Sequence, residues 1–542
     1  MHGLMQHRNL LISSILEHAE RHHGTAEVVS RRDNGASART TYGKLAGRAR
    51  RLARVLLKLK VRPGDRVATL AMNSDRHLEL YYAISGIGAV YNTINPKLNH
   101  DDIAFIVHHA EDGLIFVDPG FLPIVAAVAP RLAMLRGVVV LGDEPPAGEV
   151  SLPSAIDLYG YEMLLAQVSD DFDWPRLDEN SASGLCYTSG TTGRPKGVLY
   201  SHRSTVLYAM MMNGADVAGL KAVDRVMPAV PMFHVNAWGL PFAAPMAGAA
   251  LIFPGQHLDA QSVLGLLNDE RATISAGVPT VWLGVLAQLR ATGAKFATLQ
   301  RILSGGAAFP RALIIEYAAL GVQVMHAWGM TESSPVATFN AQKPTTAALD
   351  VRARIDQMAT QGRTVFGIEV QAHDELGKEV PADGKTPGNL VFRGHWVASS
   401  YYRSAERHVD AEDWFPTGDV GVIDAEGFVS ITDRSKDLIK SGGEWISSIA
   451  LENIAIGHPE VAEAAAIAIP DAKWGERPLL VVVPRAGCSP QPAALRDFYD
   501  GKVPKWSIPD RVVIVEMLPH GATGKILKNE LRRMFAGKHA ET

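Results

Sequence analysis

Residues 187–198 read Y-T-S-G-T-T-G-R-P-K-G-V, and this stretch decides which fold and which chemistry we expect. It contains four aliphatic hydroxyls, three glycines and one lysine. Hydroxyl and backbone N–H groups bind phosphate oxygens, glycine lets the backbone approach a ligand closely, and lysine adds a positive charge. The stretch is not a Walker A loop, because Pro195 stands where G-x-x-x-x-G-K-[ST] requires its second glycine. We therefore predict a phosphate-binding loop of another type, whose candidate residues are Thr188, Ser189, Gly190, Thr191, Thr192, Gly193 and Lys196.

Length and composition indicate a globular protein of more than one domain. A chain of 542 residues is too long for a single hydrophobic core, and 47% hydrophobic with 20% charged residues is an ordinary globular composition. A net charge of -4 argues against general nucleic-acid binding, which needs a basic surface. The two cysteines, Cys186 and Cys488, form no C-x-x-C motif, which argues against a disulfide framework or a cysteine-ligated zinc site. Because we find neither a secretory signal nor an apolar run of about 18 residues, we expect a cytoplasmic protein without an integral membrane segment.

The first two-thirds of the chain alternate between apolar strand-like runs and helical patterns. Strands are predicted at residues 66–71, 114–117, 250–253, 273–276 and 301–304, and helices at 77–84 and 259–269 and after Pro279 and Pro310. This alternation is typical of parallel sheets covered by helices. We expect two α/β halves, although the sequence contains no detectable repeat.

The pattern changes after residue 364. Short runs at 388–392 and 427–431, separated by Asp/Gly turns, predict a small β-barrel-like subdomain over about 364–432. A mixed pattern resumes after Asp433, with a basic helix beginning at Lys528. We therefore expect an N-terminal domain of residues 1–433 and a small α+β C-terminal domain of residues 434–542.

The phosphate-binding stretch resembles the signature of the adenylate-forming family, which includes acyl-CoA synthetases, nonribosomal adenylation domains and luciferases. Four more stretches resemble family motifs in the expected order: A-W-G-M-T-E at 327–332, W-F-P-T-G-D at 414–419, D-R-S-K-D-L-I-K-S-G-G-E at 433–444 and T-G-K-I at 523–526. The resemblance covers nearly the whole chain. It implies an AMP-binding N-terminal domain and a mobile C-terminal domain, joined by a hinge near Asp433. It also implies ATP, Mg²⁺ and coenzyme A as cofactors or co-substrates, a small-molecule carboxylic acid as substrate, and a homodimer.

The reaction implied by the resemblance has two steps. The acid and ATP give acyl-AMP and pyrophosphate, and coenzyme A then displaces AMP. Lys525 would bridge the carboxylate and the α-phosphate, since a lysine is cationic at neutral pH. The alternative is that Lys525 is one of several basic residues on a C-terminal tail. Thr188 and Glu332 would hold the magnesium ion through oxygen ligands, and the alternative is that Glu332 caps the start of a helix after Thr331.

The remaining implied contacts fall into three groups. Asp419 would accept the ribose hydroxyls, and Trp328, where the family usually has tyrosine, would stack on adenine. The other nucleotide contacts would be Gly306, Ala307, Ala327, Gly329, Met330, Thr331, Arg434, Lys436, Lys440 and Trp445. The loop for coenzyme A would comprise Lys440, Ser441, Gly442, Gly443 and Glu444, unless it is a simple hairpin turn. The acid would contact His234, Val235, Trp238 and Gly305. The alternative is ordinary core packing for His234 and Trp238, and an ordinary strand-to-helix turn for Gly305.

The identity of the acid depends on two local resemblances. Residues 235–238 and 440–448 resemble bacterial medium- and long-chain fatty acyl-CoA synthetases, so we expect a fatty acid. The A-W-G-M-T-E variant also resembles 3-methylmercaptopropionate-CoA ligases, which is the alternative. A catalytically dead nucleotide-binding protein is an alternative of another class. A kinase or ATPase is opposed by the absence of Walker A and kinase motifs.

Overall fold

The structure, a computed structural model, describes residues 1, 3–143, 151–188, 194–442, 444–521 and 525–535. Among the predicted site residues, Ser189, Gly190, Thr191, Thr192, Gly193 and Gly443 lie outside the described residues. The described chain is a mixed α/β fold with a large N-terminal and a small C-terminal part, as the sequence predicted.

One mostly parallel sheet forms the first α/β half. Its spatial order is Asp157–Gly160, Gly137–Val140, Leu114–Val117, Arg66–Leu70, Val90–Thr93, Ala182–Tyr187 and Gly197–Ser201. Helices that precede or alternate with these strands are Ile12–His23, Tyr42–Lys58, Asp75–Gly86, His100–Ala110, Leu122–Val128, Tyr161–Ala166 and His202–Met212. The helix Asp75–Gly86 begins at Ser74, whose hydroxyl accepts from the His77 N–H, as expected for a favourable N-cap.

The second half is built around a longer sheet with a mostly parallel centre. Its order is Arg363–Thr364, Val336–Phe339, Gln323–Gly329, Arg301–Ser304, Ile274–Gly277, Arg225–Pro228, Ala250–Phe253, Glu27–Arg31 and Ser37–Thr41. Its helices are Leu240–Ala247, Ala260–Asp269, Pro279–Thr292, Arg311–Ala319, Pro344–Ala347 and Val351–Ala359, and Val235–Trp238 is a single left-handed turn. The strand Glu27–Arg31 precedes the strands of the first half in the chain but pairs in parallel with Ala250–Phe253, so the two halves interlock.

The β-rich segment is an antiparallel sheet. Its strands pair in chain order: Ile368–His373, Gly388–Gly394, Phe415–Ile423 and Val429–Arg434. Its inward side chains Leu390, Phe392 and Phe415 join the same buried apolar cluster as Trp328. This sheet is therefore packed onto the second half, and its last strand ends at the predicted hinge.

The C-terminal part has its own sheet and its own apolar core. The strand order is Glu444–Ile446, Ile439–Ser441, Gly475–Pro484 and Val461–Asp471, and Arg511–Ile514 pairs in parallel with Gly475–Pro484. Its helices are Ser448–Ile456, Pro492–Asp497 and Lys528–Phe535. Short 3₁₀ helices in the chain are Pro119–Phe121, Ala129–Arg131, Thr331–Ser333 and Lys505–Ser507. Among the described residues, none of the helices is both long enough and apolar enough to cross a membrane.

Candidate active site

The carboxyl ends of two neighbouring parallel strands form the floor of the candidate site. Arg301–Ser304 leads into Gly305, Gly306 and Ala307, and Gln323–Gly329 contributes the adjacent edge. Ligands of α/β sheets commonly bind at such strand ends. A Cβ on Gly305 would lie 2.8 Å from the Ala327 carbonyl oxygen, so only glycine allows this close backbone approach.

Glycine is required at the second strand end as well. A Cβ on Gly329 would lie 1.7 Å from the carbonyl oxygen of Pro335. Met330 and Thr331 follow directly, and the Met330 N–H donates to the Ser333 hydroxyl at 3.0 Å. The structure thus brings the predicted residues 305–307 and 327–331 together on one edge of the sheet.

Lys525 reaches this edge from the C-terminal part of the chain. A Cβ on Gly306 would lie 3.3 Å from Cε and 3.8 Å from Nζ of Lys525, and Gly306 has a φ of +80°. Burial in the site, followed by repulsion from Arg434, lowers the pKa of Lys525 to about 8, while Asp419 and Glu332 act in the opposite direction. The lysine is therefore a cation at neutral pH that has lost much of its hydration.

His234 lies close enough to Lys525 for the two to interact electrostatically. Burial, and secondarily the ammonium of Lys525, lowers the pKa of His234 to about 3. The imidazole is neutral at physiological pH, so it adds no second positive charge. It can donate or accept a hydrogen bond where the carboxylate of an acid would approach Lys525.

Asp419 joins the aromatic and cationic parts of the site. The indole Nε1 of Trp328 donates to Oδ2 of Asp419 at 2.8 Å, and Nε of Arg434 lies 3.3 Å from Oδ1. Asp419 and Arg434 are cross-strand partners on the last two strands of the antiparallel sheet. Lys436 is near enough for Arg434 and Asp419 to affect its pKa, which burial and Arg434 lower. A carboxylate oxygen has two lone pairs, so Asp419 can still accept hydroxyl donors.

Glu332 is a buried carboxylate within the 3₁₀ helix Thr331–Ser333. Its side chain is held by Tyr401, whose hydroxyl donates to Oε1 at 2.5 Å. Burial raises the pKa of Glu332, and the hydrogen bond from Tyr401 together with the charges of Lys196 and Arg434 opposes this shift. Tyr401 was not predicted as a site residue. The contact joins positions 69 residues apart, and the sequence carries no signal for it.

The described part of the phosphate-binding stretch borders Glu332. The Thr188 N–H donates to the Lys196 carbonyl at 2.9 Å and so closes the two ends of the stretch. Nζ of Lys196 lies 4.6 Å from the ring centroid of Tyr401. Among the described residues, no group of three or more His, Cys, Asp and Glu side chains could hold a metal ion. A hydroxyl and a carboxylate supply oxygen atoms of the kind that magnesium prefers, so the side-chain chemistry of Thr188 and Glu332 is suited to such an ion.

The described residues of the predicted coenzyme A loop lie in a hairpin of the C-terminal part, with Lys440, Gly442 and Glu444 exposed and Ser441 buried. Lys440 and Trp445 face each other across its strands, with Nζ 5.2 Å from the indole centroid. Gly442 has a φ of +60°, and its N–H donates to the Trp474 carbonyl. Ser441 accepts from Arg477, and Glu444 is solvent-exposed. These contacts all lie within the C-terminal part, and the nucleotide contacts of Lys440 and Trp445 stay predictions.

The segment around Val235 and Trp238 has an unexpected backbone. Residues Val235, Asn236, Ala237 and Trp238 all have φ between +46° and +56°. Side chains disfavour this left-handed conformation, most of all for a β-branched residue such as Val235. Trp238 is buried, its carbonyl accepts from the Tyr208 hydroxyl, and its ring lies 3.8 Å from a Cβ placed on Gly305. The strained turn thus places the indole of Trp238 beside Gly305, where it forms an apolar wall next to the floor of the site.

Comparison with known proteins decides the family. The model of the AMP-binding enzyme family matches residues 15–402, and that of the AMP-binding enzyme C-terminal domain matches residues 450–525. The chain belongs to the AMP-binding enzyme family. It is an AMP-forming acyl-CoA synthetase of the adenylate-forming superfamily, as the sequence motifs predicted.

The chain is similar to relatives named as CoA ligases, and the similarity extends over nearly their whole length. The 3-methylmercaptopropionyl-CoA ligase of Ruegeria lacuscaerulensis is 47% identical over 536 residues, covering 99% of each chain. The medium-chain-fatty-acid–CoA ligase of Ectopseudomonas oleovorans is 45% identical over 536 residues, covering 99% of this chain and 98% of the other. The crystal structure of the anthranilate CoA ligase AuaEII in complex with anthranoyl-AMP has a TM-score of 0.86 at 26% identity, covering 97% of both chains.

Membership of the family identifies the reaction and the small molecules that take part in it. The synthetase converts a carboxylic acid and ATP into acyl-AMP and pyrophosphate, and coenzyme A then takes the acyl group with release of AMP. ATP and coenzyme A are its substrates, with magnesium usual for the family. The site geometry accordingly has to hold a nucleotide, an acid and, in turn, a thiol.

Proposed function

We propose that this synthetase activates an apolar carboxylic acid, with a medium- or long-chain fatty acid as the leading candidate, and that Lys525 supplies the positive charge for acyl-AMP formation. The position of Lys525 against Gly306 is the observation that supports the role of the lysine. It brings a cation from the C-terminal part to the strand ends of the N-terminal part, within the electrostatic range of Asp419 and Glu332.

The first step has to overcome repulsion between two anions. Lys525 would contact an oxygen of the carboxylate and an oxygen of the α-phosphate, neutralising both and holding them in reach of each other. His234 is neutral and would orient the carboxylate. Asp419, fixed by Trp328 and Arg434, would accept the ribose hydroxyls. Thr188 and Glu332 would hold a magnesium ion, which reduces the negative charge of the phosphates.

The second step needs a different arrangement of the two domains. Lys525 occupies the site in this structure, while the hairpin of Lys440 and Trp445 faces solvent. We therefore propose that the C-terminal domain rotates, removing Lys525 and bringing residues 440–444 to the acyl-AMP. We place the hinge at residues 433–434. The end of the antiparallel sheet at Arg434 and the stretch between the two matched family models, 402 to 450, support this position.

Trp238 and Val235 support an apolar acid. Both are buried, and the indole forms a wall above Gly305. A 3-methylmercaptopropionate would suit the same wall, because a thioether is apolar and similar in size to a methylene group. Because the chain is 47% identical to a ligase named for 3-methylmercaptopropionate, this acid is the second candidate.

The two candidates differ in chain length, which a substrate panel resolves. Activity should be measured as kcat/KM for 3-methylmercaptopropionate, pentanoate, octanoate, dodecanoate and palmitate. A maximum at octanoate or longer supports the fatty-acid proposal, and a maximum at 3-methylmercaptopropionate with a decline by octanoate supports the second candidate. In Trp238→Ala, removal of the wall should favour long over short acids by about 10-fold, whereas Trp238→Phe keeps an apolar ring and serves as the control. An unchanged preference in Trp238→Ala would contradict the role of the wall.

We further propose that the enzyme acts as a homodimer in the cytoplasm. The motif resemblance supports the dimer, and the two unpaired cysteines fit a reducing compartment. Light scattering coupled to size-exclusion chromatography tests the assembly, and a single species of 58.4 kDa would contradict it.

A further inference from the structure

Tyr401 lies between the two loops that surround the expected phosphates. Its hydroxyl donates to Oε1 of Glu332 at 2.5 Å, and its ring faces Nζ of Lys196 at 4.6 Å. One tyrosine therefore contacts both the candidate metal ligand and the lysine of the phosphate-binding stretch.

The backbone around Tyr401 is fastened to the same two loops. The Ala398 N–H donates to the Glu332 carbonyl at 2.8 Å, and the Tyr402 N–H donates to the Gly197 carbonyl at 2.8 Å. The ring itself packs edge-on against His408, with centroids 4.5 Å apart. The backbone on both sides of Tyr401 is thus tied to the two loops, and its ring packs against His408.

The contacts of Tyr401 bear on how the carboxylate of Glu332 is oriented toward a metal ion. A buried carboxylate that must meet an incoming cation should be held in one orientation, because an incorrectly rotated carboxylate loses binding free energy. A hydroxyl donor to one oxygen restricts that rotation while leaving the carboxylate anionic. The electron-rich ring face meanwhile keeps Lys196 beside the site without pairing it to Glu332 and cancelling its charge.

We propose that Tyr401 is a positioning residue for the ATP–magnesium complex: its hydroxyl orients Glu332 for the metal ion, and its ring holds Lys196 ready for the phosphates. This inference rests on the proposed role of Glu332 as a metal ligand. The two functions reside in different parts of one side chain, so different substitutions separate them.

The test measures ATP binding by calorimetry in the absence of acid, over a series of magnesium concentrations. In Tyr401→Phe, which keeps the ring, the magnesium concentration for half-maximal enhancement of ATP binding should rise about 10-fold, while binding of metal-free ATP stays unchanged. In Tyr401→Leu, metal-free ATP should bind more weakly as well, since Lys196 loses its ring. Tyr402→Phe removes a hydroxyl at the next position, where the ring contacts His109 and Arg403, and should resemble the wild type.

Glu332→Gln distinguishes failure of this inference from failure of the metal site itself. If Glu332→Gln raises the magnesium concentration for half-maximal enhancement of ATP binding and Tyr401→Phe does not, the positioning role of Tyr401 is wrong and the metal site at Glu332 stands. If Glu332→Gln leaves the magnesium dependence unchanged, both proposals are overturned. Thermal unfolding of each variant, with a Tm within a few degrees of the wild type, ensures that the folded proteins are compared.

Discussion

Raising the pH should switch off the first half-reaction through Lys525. The pKa of this lysine lies at about 8, lowered mainly by burial and then by Arg434. The cationic form is fully present below that value and is lost as the pH rises through it. One unit above the pKa about one-tenth of the molecules carry the charge, and two units above it about one-hundredth do. The rate of acyl-AMP formation should therefore fall about 10-fold at pH 9 and about 100-fold at pH 10.

The assay should report the free enzyme, because bound phosphates would raise the pKa of the lysine. The value of kcat/KM for ATP in acid-dependent pyrophosphate exchange satisfies this condition. His234 does not contribute in this range, since its pKa is held at about 3.

Lys525→Arg provides the matched control. Arginine remains cationic over the whole range, so this variant should be slower at pH 7.5 but independent of pH between 8 and 10. A wild-type profile that stays flat from pH 8 to pH 10, or an identical decline in Lys525→Arg, would refute the assignment of the decline to Lys525.

Two further substitutions test separate parts of the site. Asp419→Asn keeps the size of the side chain but removes the charge beside Arg434. KM for ATP should rise about 10-fold, because a charge-assisted hydrogen bond to the ribose is lost. An unchanged KM for ATP would argue against the ribose contact. Gly442→Val puts a Cβ 2.7 Å from the Trp474 ring at a φ of +60°, which should distort the hairpin and slow thioester formation while pyrophosphate exchange continues. Gly377→Val is the control for backbone strain alone, because Gly377 lies in another turn at a φ of +78° with open space around it. If Gly442→Val slows both half-reactions equally, the hairpin does not act on coenzyme A alone.

Local patterns predicted much of the fold because they need only short-range information. The apolar runs at 114–117, 250–253 and 301–304 are strands in the structure, and the run at 66–71 contains the strand Arg66–Leu70, since buried parallel strands are continuous apolar segments. The pairing of Glu27–Arg31 with Ala250–Phe253 could not be predicted in this way. It joins segments more than 200 residues apart, and neither strand carries a signal that selects its partner.

The candidate site was predictable only where family motifs exist. The residues of the A-W-G-M-T-E motif and Lys525 were found through resemblance, and no periodicity points to them. Tyr401 contacts the site from a loop without such a motif. The left-handed turn at Val235 was also missed, because intrinsic preferences argue against positive φ for Val235 and the strain is overcome only by tertiary contacts such as Tyr208 to Trp238.

We propose that Lys525, which the C-terminal part of the chain carries, acts in the first half-reaction and is dispensable for the second. The most direct measurement compares the two half-reactions in Lys525→Ala under single-turnover conditions. Acyl-AMP formation from acid and ATP should fall at least about 100-fold, and conversion of supplied acyl-AMP plus coenzyme A into the thioester should remain within about threefold of the wild type. Undiminished acyl-AMP formation, or an equal loss of both half-reactions, would contradict this account.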